Sequence, residues 1–178
     1  APMSVSATRS AFDLVCTLAN VPVMVRAAPE TPGAGCAFFH EVWRLRAGDL
    51  KDALNTAQLD RLAWASGGLL RHFCRLVRGL TERAELTGVS TIADEWLRDE
   101  IDERRRDLED GMTREQFALL QAVADNPQHE LPEGELARAL LAEHRLLPYP
   151  NESTWYFPHP LLTLNKVRAS RPSGSSGS

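Results

Sequence analysis

Leu59-Asp60-Arg61-Leu62-Ala63-Trp64-Ala65-Ser66-Gly67-Gly68-Leu69-Leu70-Arg71-His72-Phe73-Cys74-Arg75-Leu76 is the stretch that decides the fold. Leu59, Leu62 and Ala63 recur at helical spacing until Ser66-Gly67-Gly68 interrupts them. Beyond the glycines, Leu69, Leu70, Phe73, Leu76, Val77 and Leu80 continue as one apolar stripe, the mark of an amphipathic helix. Residues 56–86 therefore read as two helices joined by a tight glycine turn, which lets the second helix start close against the first. Arg71 falls in the first turn of that second helix. The helix dipole already makes this end positive, so a cation displayed there suggests an anionic partner. The plainer alternative is a solvated arginine paired with a nearby acid. Arg75 and Arg78 follow about 40° and ~20° away around the helix, so all three share a face; for Arg78 a solvated stripe is the preferred reading.

Working outward toward the N-terminus, Phe38, Val42 and Leu45 mark a helix from about Cys36 to Arg46 that Gly48 closes. The apolar run Val21-Pro22-Val23-Met24-Val25 predicts a short edge strand over 21–26, because proline is tolerated mainly at sheet edges. Residues 27–35 read as a Pro/Gly loop, and Phe12, Val15, Cys16 and Ala19 predict a helix over 8–18. Toward the C-terminus, Ile92, Trp96, Ile101 and Leu108 form a thin stripe among charges. From Asp94 to Glu115 acids outnumber arginines two to one, so this helix, with its pairs Asp94-Glu95 and Asp99-Glu100, is mostly solvated. Thr113 and Gln116 make a capping-box signature for a helix buried on Phe117, Leu120, Val123 and Ala124, which Asn126-Pro127 stops. A short helix over 133–143 on Leu136, Leu140 and Leu141 follows. Two extended arms then flank the turn Asn151-Glu152-Ser153, and 159–167 suits a last short helix.

The expected architecture is mainly α: a helical subdomain, then a winged-helix-like subdomain with a small β-hairpin. Its boundaries are 1–35 for an N-terminal segment, 36–110 for the helical domain and 111–168 for the winged-helix-like domain. Residues 169–178 read as a flexible linker or cloning-derived tail, since Gly/Ser runs bury too little surface to offset their ordering entropy.

The chain has 178 residues, 43% hydrophobic and 25% charged, with net charge −4, an ordinary globular composition that excludes fibrous and disordered classes. No apolar run approaches a membrane span and no signal peptide is visible, so a cytoplasmic protein is expected. Mild acidity speaks against DNA or an anionic membrane as a chain-wide partner. Cys16, Cys36 and Cys74 are too few and too widely spaced for a disulfide framework, and buried reduced thiols are the expectation. The only lysines, Lys51 and Lys166, follow Leu50 and Asn165, so neither completes the Gly-Lys of a phosphate-cradling P-loop. His40-Glu41-Val42-Trp43-Arg44 begins like a zinc helix, but its fifth residue is a cation, leaving a surface His-Glu pair as the expectation. His72, His129, His144 and His159 look scattered, and no serine sits in a nucleophile elbow. The chain is expected to hold no metal and no catalytic residue, and not to be an enzyme by itself.

With these residues in view, Leu59 to Leu76 resembles the small helical lid of AAA+ and STAND-type P-loop ATPases, where a helix, a Ser-Gly-Gly-x-x-Arg turn and a leucine-rich helix recur. In that family the arginine is the sensor-2 residue, which reaches from the lid to the nucleotide phosphates. The resemblance implies that role for Arg71, with Arg75 as a weaker contact, and a structural turn at Ser66, Gly67 and Gly68. Leu146-Leu147-Pro148-Tyr149-Pro150-Asn151 and Trp155-Tyr156-Phe157-Pro158-His159-Pro160-Leu161-Leu162 are similar to the winged-helix end of bacterial STAND-like ATPases. Together the two matches cover roughly 36–167. The departure is the missing nucleotide-binding core, so ATP and magnesium are expected only with a core outside this chain. The implied chain is either the C-terminal part of a larger ATPase or a relic that kept the lid and lost the motor. Val21 to Leu45 would then contain the last core strand and the helix that leads into the lid.

Three functions follow as expectations. The first is a regulatory module that senses nucleotide on a P-loop core and relays the state to protein partners. The second is a protein-interaction adaptor whose partner surface includes Trp155, Tyr156 and Phe157, because three adjacent aromatics cannot all face one core. The third, a DNA-binding winged helix, is disfavoured: the candidate reading helix Glu133–Glu143 carries three glutamates and one arginine.

Overall fold

Asn55 and Thr113 each begin a helix by the same device. The side chain of each accepts from the backbone N–H three residues on, and the glutamine there, Gln58 or Gln116, returns a bond to the capping residue's own N–H. The computed structural model describes residues 20–151 and 153–163. The helix expected over 8–18, Cys16 and Lys166 lie outside the described residues, as does most of the helix expected over 159–167, of which 160–163 are helical. In chain order the elements are β1 (Met24–Val25), β2 (Ala28–Pro32), α1 (Cys36–Arg46), α2 (Thr56–Ala65), α3 (Leu70–Thr87), α4 (Asp94–Glu109), α5 (Arg114–Asp125), α6 (Glu135–Ala142), β3 (Leu146–Tyr149) and β4 (Trp155–Pro158). The chain is mainly helical with a small antiparallel C-terminal hairpin, as the apolar periodicity predicts. Among the described residues no helix is long and apolar enough to cross a membrane.

Near the N-terminus the expected edge strand shrinks to Met24–Val25, and part of the expected loop is itself a strand, Ala28–Pro32, paired antiparallel with it. Proline is tolerated there because β2 pairs on one side only. The buried faces of α2 and α3 meet those of α1 and α4 through Phe39, Trp43, Leu62, Phe73, Leu76, Leu80, Leu97 and Ile101. Leu97, absent from the thin stripe expected for α4, is fully buried, whereas Trp96 is half-buried under the Arg83 guanidinium, 4.5 Å above its ring. Gln58 is buried with it and donates to Ile92 O and Asp94 Oδ1, tying α2 to the head of α4. In α5 the buried face is rotated from expectation. Leu120 and Val123 are internal, but Phe117 is exposed and Gln116 is buried, drawn in by its capping role.

The hairpin joins the two halves. Its register sets Leu147 opposite Phe157 and Tyr149 opposite Trp155, so these four side chains share one face. All four are buried in the same core as α1–α4. The opposite face carries Leu146 and Tyr156, which pack on a second cluster made with Leu120, Val123 and Leu140.

Candidate functional site

The double-glycine turn is the socket into which both neighbouring segments dock. Ser66 is fully buried; its hydroxyl donates to Ala63 O and accepts from the Gly68 N–H, closing the turn. Gly67 and Gly68 have φ of +65° and +79°, a left-handed conformation that favours glycine. A Cβ on Gly68 would lie 2.0 Å from the Val21 carbonyl oxygen, and one on Gly67 would lie 2.5 Å from Leu147 Cδ1. The N-terminal segment is held there by the Val21 N–H on Gly68 O, and the hairpin by the Tyr149 hydroxyl on Gly67 O at 2.9 Å. The three residues expected to build the turn therefore do so.

α3 starts from this turn with no side-chain cap, so its first N–H groups face outward with the positive end of an 18-residue helix behind them. A cavity of about 420 Å³ opens at this end, lined among others by Asn20, Phe38, Leu70, Arg71, His72 and His144. Arg71 and Arg75 are exposed, and among the described residues neither has a carboxylate partner. Arg78 differs: it pairs with Glu82 at 2.6 Å, as its solvated-stripe reading expects.

Behind Arg71 the structure gathers histidines that look scattered along the chain. His72 of α3 is buried, and its Nδ1 lies 3.1 Å from Nε2 of His159, which follows β4 and is fully buried. His72 Nε2 lies 3.2 Å from Nη2 of Arg104 on α4. The His144 ring, in the turn after α6, stands edge-on to His72 with centroids 6.1 Å apart. Burial lowers the His72 pKa to about 4, and the neighbouring basic side chains of Arg104, His144, Arg75 and Arg71 push the same way. Burial, with the basic neighbours His72, Arg104 and His144, also holds His159 well below its ordinary value, against a backbone hydrogen bond to Ser66. Both rings are thus neutral near pH 7. The signal for His72 lay in the sequence, since it falls within the Leu69–Leu76 apolar stripe where a titratable side chain is out of place. Nothing in the linear sequence pointed to Arg104.

Other expected sites move. Trp155 is fully buried, 0% accessible, and stacked on Tyr149 with centroids 4.9 Å apart. Phe157 is buried beside it, and of the three adjacent aromatics only Tyr156 is half-buried. The expected partner surface is therefore internal, because the hairpin lies between two clusters and each face has its own core. Cys36 is buried, its thiol pKa pushed up to about 11 chiefly by desolvation, but Cys74 is exposed, contrary to the expectation of buried thiols throughout. His40 does not pair with Glu41; its Nε2 lies 2.8 Å from Asp60 Oδ1, while Glu41 binds Arg44. Among the described residues no group of three or more His, Cys, Asp or Glu side chains is placed to hold a metal ion.

No protein-family model, curated protein or solved structure matches the chain.

Proposed function

We propose that this chain is a non-catalytic regulatory module of an AAA+/STAND-like ATPase. In this reading Arg71 and Arg75 sense the phosphates of a nucleotide held by a P-loop core outside the chain. The α5–α6–hairpin unit relays the bound state to partner or effector proteins. One observation carries the reading: exposed Arg71 stands at the uncapped head of α3 beside a cavity, with exposed Arg75 one turn further on, and neither has a carboxylate partner among the described residues. Arginine presents a planar fork of donors suited to phosphate, and an uncapped helix N-terminus adds backbone N–H groups to it. Because Gly67 and Gly68 seat the hairpin and the N-terminal segment on this turn, a displacement at Arg71 has a direct mechanical route to both. Differential contacts in two states are all that such a switch requires.

Inorganic tripolyphosphate added to this chain is expected to shift the amide resonances of residues 68–72, and Arg71→Ala to remove those shifts. In a protein carrying this segment behind a P-loop core, the same substitution is expected to lower ATP hydrolysis by about ten-fold or more. Unshifted amides together with unchanged hydrolysis would overturn the reading. The adaptor alternative finds its support away from the hairpin, in a groove of about 580 Å³ between α1 and α3 that exposes Leu45, Leu70 and Cys74.

A further inference from the structure

A neutral imidazole carries one N–H and one lone pair, and a guanidinium only donates. The Leu161 N–H points at His159 Nδ1 at 3.3 Å, which places the His159 proton on Nε2. There it donates to His72 Nδ1. The His72 proton is then on Nε2, facing the Arg104 Nη2 donor at 3.2 Å. The opposite tautomers fail at the other end of the chain of contacts. If His72 Nε2 accepts from Arg104, then His72 Nδ1–H donates to His159 Nε2, and the His159 proton is forced onto Nδ1 against the Leu161 N–H. Four N–H groups share three contacts, so one contact holds two donors. The first assignment keeps the Leu161 N–H bond to His159 Nδ1, and it puts the conflict at His72 and Arg104.

Two independent features mark the same place. Arg104 Nε is buried without a hydrogen-bond partner, although its side chain is only 15% exposed. The groups that weigh most on His72 come from α3 (Arg71, Arg75), α4 (Arg104, itself paired with Asp107) and the turn after α6 (His144), and these four are basic. A buried donor left unpaired costs roughly 1–3 kcal/mol, so an acceptor supplied from outside relieves the donor excess and the charge excess together.

We propose that a phosphate-type oxyanion binds between Arg104 and the Nε2–H of His72, entering from the cavity at the head of α3, with Arg71 and His144 at its rim. The inference rests on the anion-sensing reading of Arg71 and deepens it by naming an inner pair of donors. The other terminal nitrogen of Arg104 is already paired with the exposed Asp107 at 3.2 Å, which leaves Nη2 and the unpartnered Nε for the ion. The ion separates the two facing donors and accepts from both. It also acts at the His72–His159 contact, where α3 meets the end of the hairpin.

The test is sulfate binding to the full chain by calorimetry, with ring ¹⁵N resonances of His72 as a second readout. Sulfate is expected to bind and to shift His72 Nε2, and Arg104→Gln and His72→Gln are each expected to weaken binding by about ten-fold or more. Arg104→Lys, which keeps the charge but loses the fork, should fall between. Each variant's thermal midpoint is measured to show that it is folded. Competition by ATP supports a nucleotide as the source of the phosphate, and its absence supports a free oxyanion in the same site. Wild-type affinity in folded Arg104→Gln and His72→Gln overturns the proposal; if Arg71→Gln alone then abolishes binding, the reading of Arg71 stands without it. No sulfate binding to the wild-type chain overturns the inner site, while the tripolyphosphate experiment still decides Arg71 separately.

Discussion

Replacing single glycines by alanine around α3 separates the backbone cost of a left-handed residue from the cost of undocking a segment. Gly88 closes α3 with φ +67° and has nothing within 4 Å of an added Cβ. Gly88→Ala therefore reports the backbone term alone, about 1–2 kcal/mol. Gly68 has a similar φ of +79°, but its Cβ would lie 2.0 Å from Val21 O and 3.0 Å from Val21 C, both backbone atoms. The segment carrying Val21 must retreat, losing the Val21 N–H bond to Gly68 O. Overpacking adds about 1–3 kcal/mol and the lost bond about 1 more, so with the backbone term Gly68→Ala should cost about 3–6 kcal/mol. Gly79 provides the opposite sign. The atoms nearest its Cβ would be those of the Glu100 carboxylate, the far end of a flexible side chain whose pKa burial has raised. Swinging that carboxylate toward water costs little, and alanine in a helix interior gains about 1 kcal/mol, so Gly79→Ala should be neutral or stabilising. Urea unfolding followed by far-UV circular dichroism orders the three variants. If Gly68→Ala loses no more stability than Gly88→Ala, the docking of Val21 on the turn is wrong.

Trp155→Ala should destabilise by about 3–5 kcal/mol in the same assay, because it empties a fully buried site; Tyr156→Ala should cost clearly less, and equal losses would contradict the two-faced hairpin. His72 and His159 have folded pKa values below their ordinary ones, so the unfolded chain binds the extra protons and stability falls as pH drops from about 6.5 toward 4. For His72 alone the loss is roughly 3 kcal/mol across that window. His72→Gln should flatten the fall, and an unchanged pH dependence of the urea midpoint would refute the buried neutral pair. Iodoacetamide on the native protein should label Cys74 but not Cys36 until urea opens the core, as read by peptide mass spectrometry; simultaneous labelling would place Cys36 outside that core.

Helix positions were legible because each helix here announces itself locally. The stripe from Leu69 to Leu80, the capping pair Thr113/Gln116 and the stop at Asn126-Pro127 act within a few residues of one another. The hairpin was legible for the same reason, from the apolar arms either side of Asn151. What the Trp155-Tyr156-Phe157 run faces was not, since alternation shows that neighbours diverge but not that both sides are covered. The strand within 27–35 was not legible, because Pro29 and Pro32 argue against a strand in isolation, yet a one-sided pairing accepts them.

The candidate site divides along the same line. Arg71, its place in the first turn of α3 and the double glycine before it follow from the sequence alone, because helix polarity and a glycine turn are properties of adjacent residues. The contact between His72 and His159 spans 87 positions, and the approach of Arg104 to His72 spans 32. No local rule encodes those distances. They are decided only when the hairpin seats on the glycine turn and α4 closes over α3, because burial and the meeting of donors are properties of packed neighbours rather than of sequence neighbours.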